Sequence, residues 1–435
     1  MSDATFTCPD LTSFCRLDGL GLEVTGQRIE PDRAILACRP VDADDWCRDC
    51  GGQGLIRGSV VRLLSHVPLG WRPTVLHVRL RRYRCIECGR VWRQDTSAAA
   101  EPRSKLSRAA LRWGLEGLVV QHLSMSRIAA GLDVAWNTAN DAVLAEGQRV
   151  LISDLARFDG VKVIGVDEHC WRHTRRGEKY VTVIIDLTPT RDGTGPARLL
   201  DMVEGRSKQV FKTWLAARPR AWRKGIEVVA MDGFTGYKTA AVEELGNATT
   251  VMDPFHVVRL AGEALTRCRQ RVQQDTCGHR GRAGDPLYRA RRTLLTGVDL
   301  LTDKQVARLE ALFADEQHTE VYATWSIYQR LVVAYRNPDK QLGRFLLQGV
   351  IDSVSTGVPR DLVELVSLGR TLHRRAADVL AFFDRPGTSN GPTEAINGRL
   401  EHLRGIALGF KNLTHYIARS LLETGGFKPH LHPAL

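Results

Sequence analysis

Residues 161–173 read VKVIGVDEHCWRH, a short apolar run followed by acidic and polar residues. Val163, Ile164 and Val166 are typical of a buried β-strand. Asp167 stands where we expect this strand to end. A single aspartate behind a strand is usually a turn or capping residue, so its role depends on what the rest of the chain places beside it.

The segments that follow supply the remaining elements of a mixed α/β sheet. They read as two strands, an amphipathic helix, a strand, a helix and a last strand: KYVTVIIDL (179–187), ARLLDMVEG (197–205), RSKQVFKTWLAAR (206–218), GIEVVAMDGFTGY (225–237), residues 236–245 and TTVMDPFHVV (249–258). This succession is that of the RNase H-like fold, in which the first and fourth strands are neighbours. Asp232 ends the fourth strand, so we expect Asp167 and Asp232 at adjacent strand positions.

The stretch TSNGPTEAINGR at residues 388–399 offers a third carboxylate. Asn390 or Gly391 would cap a helix here, and Pro392 suits its first turn. Glu394 in that turn favours the positive end of the helix dipole, which is the plain structural explanation for it. It also lies on a polar face, off the stripe of apolar positions at helical spacing, which are Ile396, Leu400, Leu403 and Ala407. The same polar face carries Asn397 and Glu401.

Three carboxylates on two strands and one helix suit a pair of Mg²⁺ or Mn²⁺ ions, because both metals prefer oxygen ligands. Two such ions, about 4 Å apart, activate a water or a sugar hydroxyl and stabilise the oxygen that leaves phosphorus. We therefore predict that Asp167, Asp232 and Glu394 are catalytic metal ligands for phosphodiester cleavage and transfer.

A long helical segment separates the second carboxylate from the third. Patterns such as DKQVARLEALF (303–313) and DLVELVSLGRTLHRRAADVLAFF (361–383) have helical periodicity. We predict an all-helical insertion over roughly residues 277–385. Four arginines precede it on one predicted helix and are either phosphate contacts or a solvated helix face: Arg259, Arg267, Arg269 and Arg271.

Two C-x-x-C pairs lie near the N-terminus, in WCRDC (46–50) and YRCIEC (83–88). This spacing lets the thiolates of each pair reach one tetrahedral zinc, and Gly51 and Gly89 behind the pairs allow each turn a positive φ. The spacer alternates and is rich in Val, Leu and Arg, as strands are. Four thiolates leave no open position, so we predict structural zinc on Cys47, Cys50, Cys85 and Cys88. Cys8, Cys15 and Cys38 lack this spacing and are expected to be core or free thiols.

Residues 104–150 are predicted to be helical and contain LSMSRIAAGLDVAWNTANDAVL (123–144). Ser126 can cap a short helix, Gly131 supplies a turn, and a second helix begins near Ala135. This order matches the helix-turn-helix, although many helical hairpins resemble it and Ala135 is a weak cap. The residues expected on or near the exposed face of the second helix are Trp136, Asn137, Asn140 and Asp141, of which the first three are predicted DNA contacts.

The net charge is +12, and much of it is concentrated in one window. Residues 57–112 hold 13 Arg and Lys against three acidic residues, which indicates a polyanionic partner rather than only a solvated basic surface. We predict DNA contacts on the arginines of one strand, Arg79, Arg81, Arg82 and Arg84. The N-terminal sequence lacks the pattern of a signal peptide, and no apolar run reaches membrane-spanning length, so a cytoplasmic protein without a membrane partner is expected.

With these motifs the sequence resembles transposases of the bacterial ISL-three insertion-sequence family over nearly its whole length. The resemblance rests on the two C-x-x-C pairs and on GVDEH, VVAMDGFTGY, MDPFHVVRL and TSNGPTEAINGRLEHLRGIALGFKN. It implies an RNase H-like domain with an Asp-Asp-Glu triad at Asp167, Asp232 and Glu394. It also implies a helical insertion before the glutamate and terminal inverted repeats as the DNA substrate. Asp253 and His256 match the family without an assigned role, and for His256 a supporting role is favoured over metal ligation.

The predicted fold class is α/β and multidomain. Its parts are a zinc-binding domain with a β ribbon (1–100), a helix-turn-helix DNA-binding domain (101–155), an RNase H-like catalytic domain (156–276), an all-helical insertion (277–385) and the C-terminal catalytic part that carries Glu394 (386–435). We expect a DNA transposase that acts on transposon ends and target DNA as a homodimer or higher oligomer. The alternatives are a DNA-binding regulator and an RNase H-like nuclease derived from a transposase.

Overall fold

The computed structural model describes residues 8–174 and 177–431, which form two compact units. The first unit runs to Arg157 and takes up the chain again from Gly405, and the second comprises Phe158–Arg404. The sequence-based division kept residues 386–435 together. The structure differs there, because the last helices pack with the first unit.

The first unit begins with a short helix, α1 (Leu11–Phe14), and a five-stranded sheet. Its strands are β1 (Leu22–Ile29), β2 (Ala34–Pro40), β3 (Gly54–Leu69), β4 (Arg72–Cys85) and β5 (Val91–Arg93). The order is β1-β2-β4-β3, with β5 paired to β4. The two longest strands, β3 and β4, form an antiparallel hairpin across the spacer between the cysteine pairs. One face of the sheet is buried by side chains that alternate along β4, among them Leu76, Val78 and Leu80.

Helices complete the first unit. They are α2 (Arg108–Val119), α3 (Met125–Gly131), α4 (Trp136–Gly147), α17 (Leu413–Thr424) and α18 (Lys428–Leu431). The oxygen of Ser124, not that of Ser126, accepts the hydrogen bond that caps α3, so the predicted cap was two residues late. The second helix starts as predicted behind Ala135, which gives no side-chain cap. A hydroxyl at position 124 suits the cap because its backbone is still extended there.

The second unit is built on a mixed five-stranded sheet. Its strands are β6 (Val163–Cys170), β7 (Tyr180–Asp186), β8 (Arg198–Glu204), β9 (Val228–Met231) and β10 (Thr249–Met252), in the order β10-β9-β6-β7-β8. β6, β7 and β8 are antiparallel neighbours, whereas β9 and β10 run parallel to β6. The first and fourth strands of this sheet are paired, as the sequence predicted.

Strand β6 is longer than expected. It continues to Cys170, and Asp167 pairs with Val183 of β7 inside the strand. The prediction that the strand ends at Asp167 was therefore wrong. The apolar run ends at Val166, but antiparallel pairing with β7 continues through Cys170, three residues beyond Asp167.

Helices flank the second sheet and fill the interval before Glu394. The first group is α5 (Thr188–Asp192), α6 (Lys208–Ala216), α7 (Arg220–Gly225), α8 (Thr235–Leu245) and α9 (Pro254–Cys277). The second is α10 (Pro286–Arg289), α11 (Asp303–Phe313), α12 (Thr319–Arg336), α13 (Lys340–Thr356), α14 (Val363–Arg374), α15 (Ala376–Asp384) and α16 (Gly391–Ile406). From α9 to α15 these helices share one apolar core, as an all-helical segment requires. Within the described residues, no helix is both long and apolar enough to cross a bilayer.

Candidate metal centres and DNA-contact residues

The pairing of β6 with β9 sets two acidic residues side by side. Val166 pairs with Met231 in the parallel register, so Asp167 in β6 and Asp232, the first residue after β9, occupy the next position along each chain. An Oδ1 atom of Asp232 accepts the Phe234 amide at 2.9 Å in the turn behind β9. An Oδ1 atom of Asp167 accepts the amide of Glu168 at 2.8 Å. The predicted adjacency of the two carboxylates follows from this register.

Helix α16 brings Glu394 to the same sheet. The helix buries its apolar stripe, including Ile396, and leaves Glu394 exposed in the first turn. It approaches β6 at Gly165, where a β-carbon would lie 2.5 Å from Oγ1 of Thr393. Gly165 is two residues before Asp167 and therefore on the same face of the strand. A side chain at position 165 would push the Glu394 helix away from the carboxylates.

Asn397 makes a direct contact between α16 and the strand. Its Nδ2 donates to Oδ2 of Asp167 at 2.9 Å, and it lies one turn after Glu394 on the same side of the helix. The sequence placed Asn397 on the polar face of α16 but gave it no role. Its spacing of three residues from Glu394, which puts both side chains on one side of a helix, could have indicated a role at the same site.

The pKa of Asp167 is affected by burial and by the acidic residues near it. Burial raises the pKa of Asp167 to about 7, and the negative charges of Asp232, Glu168 and Glu394 act in the same direction. Several negative charges close to one buried carboxylate form a site where a cation is stabilised. The donor set therefore fits divalent cations that prefer oxygen.

The loop behind Asp232 is held from the helical segment. Arg375, at the junction of α14 and α15, is buried and its Nη1 donates to the carbonyl oxygen of Gly233 at 2.9 Å. Its guanidinium pairs with the buried carboxylate of Asp378, which Lys238 also contacts at 2.9 Å. The residue after Asp232 is thus fixed by a buried ion-pair network, which no local sequence pattern indicated.

The four predicted zinc ligands converge. Sγ of Cys47 lies 3.6 Å from that of Cys88, and Sγ of Cys50 lies 3.4 Å from that of Cys85. Zn–S bonds of about 2.3 Å in a tetrahedron imply S···S distances of about 3.8 Å, close to those seen. All four sulfurs lie within 4.8 Å of one another, the only such group of three or more potential ligands in residues 8–174 and 177–431. The cluster fits structural zinc, and the three carboxylates stand farther apart.

The backbone conformation of the two cysteine turns also suits a zinc site. Gly51 and Gly89 have φ values of 75° and 72°, as predicted. Hydrogen bonding from the Cys88 amide lowers the pKa of the Cys85 thiol to about 7, which favours the thiolate that binds metal. The other N-terminal cysteines are as expected, since Cys15 and Cys38 are buried in the core and Cys8 is an exposed free thiol.

The predicted DNA contacts fall into separate groups. Arg79 and Arg81 line a groove of about 850 Å³ on the exposed face of the first sheet. Arg82 and Arg84 are exposed too, but they follow the other alternation of β4 and project from its opposite face. All four side chains are accessible to a polyanion.

On helix α4, Trp136 and Asn137 are exposed, but Asn140 is not. Its side chain is 3% exposed, so the prediction of an exposed Asn140 was wrong. Asn140 belongs to the buried stripe that continues through Val143, Leu144 and Gly147 at helical spacing. Among the arginines of α9, Arg269 is buried, and Arg271 pairs with Glu364 and Glu320. Only Arg259 and Arg267 of that set remain exposed.

Neighbouring acidic residues, a four-sulfur cluster and a basic strand together indicate a protein that acts on nucleic acid. Comparison with known families specifies the class, because a family model described as a transposase matches residues 164–420. The match covers more than half of the chain, which therefore belongs to the ISL-three family of insertion-sequence transposases. The resemblance predicted from the motifs is confirmed.

Individual relatives agree with this assignment. The chain is similar to the transposase for insertion sequence element IS1557 of Mycobacterium tuberculosis, with 24% identity over 337 residues that cover 72% of each chain. It is also similar to the transposase for insertion sequence element IS1001 of Bordetella parapertussis, with 24% identity over 304 residues. That second alignment covers 69% of this chain and 70% of the relative.

Proposed function

We propose that this transposase binds the inverted-repeat ends of an insertion sequence and cleaves and joins DNA strands through Asp167, Asp232 and Glu394. The strand order β10-β9-β6-β7-β8 supports an RNase H-like catalytic domain that residues 156–276 and the Glu394 helix build together. The observation that carries the proposal is geometric: Asp167 and Asp232 follow the paired residues Val166 and Met231, and Asn397 of the Glu394 helix donates a hydrogen bond to Asp167.

Asp167, Asp232 and Glu394 would hold Mg²⁺ or Mn²⁺, as two ions. Bound there, the ions supply Lewis-acid activation of the attacking hydroxyl and charge stabilisation at the leaving oxygen. The protein's own part is to hold the carboxylates in place. Asn397 orients the Asp167 carboxylate by donating to one of its oxygens, and Arg375 fixes the peptide behind Asp232. The attack on phosphorus then needs few other groups from the chain.

The first unit is the proposed DNA-binding part, with a zinc ribbon in residues 1–100 and a helix-turn-helix in residues 101–155. Its basic strand β4 would contact phosphates, and Trp136 and Asn137 at the start of α4 would reach base edges. Transposon ends and target DNA are the proposed partners. A homodimer or higher oligomer on DNA would bring two ends together.

The test is Glu394→Gln, which keeps the size of the side chain and removes one anionic oxygen. Glu401→Gln on the same helix is the matched control, because Glu401 is exposed and bonded to Arg404. We expect Glu394→Gln to fold and bind end-containing DNA normally while Mg²⁺-dependent nicking and strand transfer collapse. Glu401→Gln should retain both activities.

Asp167→Asn and Asp232→Asn should give the same loss. Because the three groups act as one unit, double variants should be little worse than single ones. Nicking and strand transfer are measured on end-containing DNA, with binding followed in parallel. Cleavage at the normal rate by Glu394→Gln would exclude the triad, and cleavage without joining in the unaltered protein would favour a nuclease.

A further inference from the structure

Asp253 is a buried acid that the proposed chemistry does not use. It stands between β10 and α9, and its side chain is 4% exposed. One carboxylate oxygen accepts the Asn390 amide at 2.8 Å and the Ser389 hydroxyl at 3.3 Å. The other accepts the His256 amide at 3.3 Å and so caps α9. A carboxylate has the acceptor capacity for all three donors, which an amide or a hydroxyl does not.

The backbone of Asp253 is tied to the opposite side of the site. Its amide donates to the carbonyl oxygen of Met231 at 2.9 Å, and Met231 directly precedes Asp232. On the side-chain end, Asn390 directly precedes α16, and its carbonyl oxygen accepts the Glu394 amide at 3.1 Å. One residue therefore bonds both to the peptide before Asp232 and to the residue that opens the Glu394 helix.

His256 adds a second contact from the same turn of α9. Its ring packs directly against Gly233, where a β-carbon would lie 2.2 Å from Nε2. Nδ1 of the same ring lies 3.0 Å from Nη2 of Arg259. The first turn of α9 thus contacts the residue after Asp232 through His256, and the residues before Glu394 through Asp253.

We propose that Asp253 is a positioning residue that sets the distance between the Asp232 and Glu394 carboxylates. The inference rests on the proposed function of those two acids. Position 390 is joined to the insertion by residues 385–389, which lie outside α15 and α16. Without the Asp253 bonds, the remaining contacts that hold the start of α16 to the sheet would include packing at Gly165 and the hydrogen bond from Asn397 to Asp167. The hydrogen bonds of the Asp253 carboxylate fix the position of the start of α16 relative to the sheet.

The test compares Asp253→Ala with Asp253→Asn in the full-length, zinc-loaded protein. Asp339→Ala is the matched control, because Asp339 caps α13 by accepting the amides of Gln341 and Leu342 away from these acids. Hydrogen exchange of the amides in residues 388–396 is measured for each variant. Asp253→Ala should exchange faster in that segment, Asp253→Asn should recover part of the protection, and Asp339→Ala should leave the segment unchanged.

The second measurement is Mn²⁺ binding, followed by electron paramagnetic resonance. We expect the half-saturating Mn²⁺ concentration to rise about tenfold in Asp253→Ala, as for other residues that orient metal ligands, and to stay constant in Asp339→Ala. Unchanged exchange and Mn²⁺ binding in Asp253→Ala, or equal changes in the Asp339→Ala control, would overturn the inference. If Asp253→Ala does not fold, Asp253→Asn is judged by the same two outcomes.

The Asp253 experiment and the Glu394→Gln experiment can fail independently of each other. The exchange measurement needs neither DNA nor catalysis, so it reports on the positioning contact alone. Normal cleavage by Glu394→Gln would remove the proposed triad and leave the exchange result standing. Loss of cleavage by Glu394→Gln together with unaltered exchange in Asp253→Ala would remove only the positioning role.

Discussion

Asn397 donates a hydrogen bond to Asp167, and this contact joins the first strand of the second sheet to the helix that carries Glu394. Because Asn397 and Glu394 are one turn apart, a rotation of α16 would move both side chains together. The amide also keeps one oxygen of Asp167 pointing toward the helix. A single polar residue thus limits the orientations open to a proposed metal ligand.

A buried histidine is expected to make the stability of the first unit depend on pH. His66 is 1% exposed, and its Nδ1 lies 2.9 Å from Oγ of Ser107, the residue that caps α2. Burial lowers the pKa of His66 to about 4. The unfolded chain takes up a proton near pH 6.5 and the folded chain does not. Stability is therefore lost as the pH falls from 6.5 toward 4.

We predict that this proton uptake costs the unaltered protein about 2 kcal/mol of unfolding free energy between pH 7 and pH 5. His66→Gln cannot take up the proton, so its unfolding free energy should depend less on pH by that amount. Denaturant unfolding of the zinc-loaded proteins at both pH values measures the difference. His402→Gln, at an exposed position, is the control and should keep the full dependence. Equal slopes in all three proteins would contradict a buried neutral histidine.

The residue scale also shows what the sequence can reveal. The places of Asp167, Asp232 and Glu394 in the fold were predictable, because an apolar run precedes each aspartate and an apolar stripe at helical spacing follows Glu394. Asn140 was predicted on or near the exposed face of α4, but it lies on the buried face. The border between the two faces of a helix can fall between neighbouring residues, so the sequence alone did not show on which side of it Asn140 lies. Arg375 and Asp253 act across segments far apart in sequence, so only the packing of α9, α15 and α16 reveals their contacts.

At the scale of elements, the hairpin of β3 and β4 spans the two cysteine turns. Cys85 ends β4 and pairs with Gly54 at the start of β3, so the sulfur cluster closes the open end of the hairpin. Loss of metal would leave four thiols together at the end of two long strands. Bound zinc would therefore stabilise the register of the hairpin as well as its end.

We predict that Cys85→Ser loses zinc and lowers the thermal stability of the first unit. The purified protein should contain about one zinc per chain, because a closed four-thiolate site holds one ion. Cys8→Ser is the control, since Cys8 is exposed and outside the cluster. Zinc content by elemental analysis and unfolding by circular dichroism provide the two readouts. Full zinc content in Cys85→Ser would show that other residues bind the metal.

The strands were predictable from the sequence in part. Alternation in the spacer predicted strands, and the order of apolar runs predicted a sheet in which β6 and β9 pair. The end of β6 was not predictable, because antiparallel pairing to β7 extends the strand through polar residues. Short helices such as α5 and α7 were also missed, since they have too few residues to show a period.

At the scale of the molecule, the basic window of residues 57–112 lies in the first unit and the proposed catalytic acids lie in the second. We predict that this division separates DNA affinity from cleavage. Arg81→Ala should weaken binding to all DNA sequences alike and reduce the salt dependence by about one phosphate contact. Asn137→Ala should instead lower the preference for transposon ends, by roughly 1–3 kcal/mol if it reads a base.

Binding is measured by fluorescence anisotropy on end-containing and scrambled duplexes at several salt concentrations. Arg330→Ala, an exposed arginine of α12, is the charge-matched control and should leave both affinities unchanged. Equal effects of Arg81→Ala and Arg330→Ala would mean that only net charge matters. A full preference for transposon ends in Asn137→Ala would remove that residue from base recognition.

The return of the chain to the first unit has a consequence for its synthesis on the ribosome. Leu422 of α17 packs against Gly147 of α4, and Nη2 of Arg112 in α2 donates to the carbonyl oxygen of Leu431 at 2.6 Å. The whole second unit must therefore be translated before α2 and α4 are covered. A nascent or truncated chain that lacks residues 413–431 leaves this apolar surface open to chaperones and proteases. Folding of the first unit is thus completed only after residues 413–431 have been synthesised.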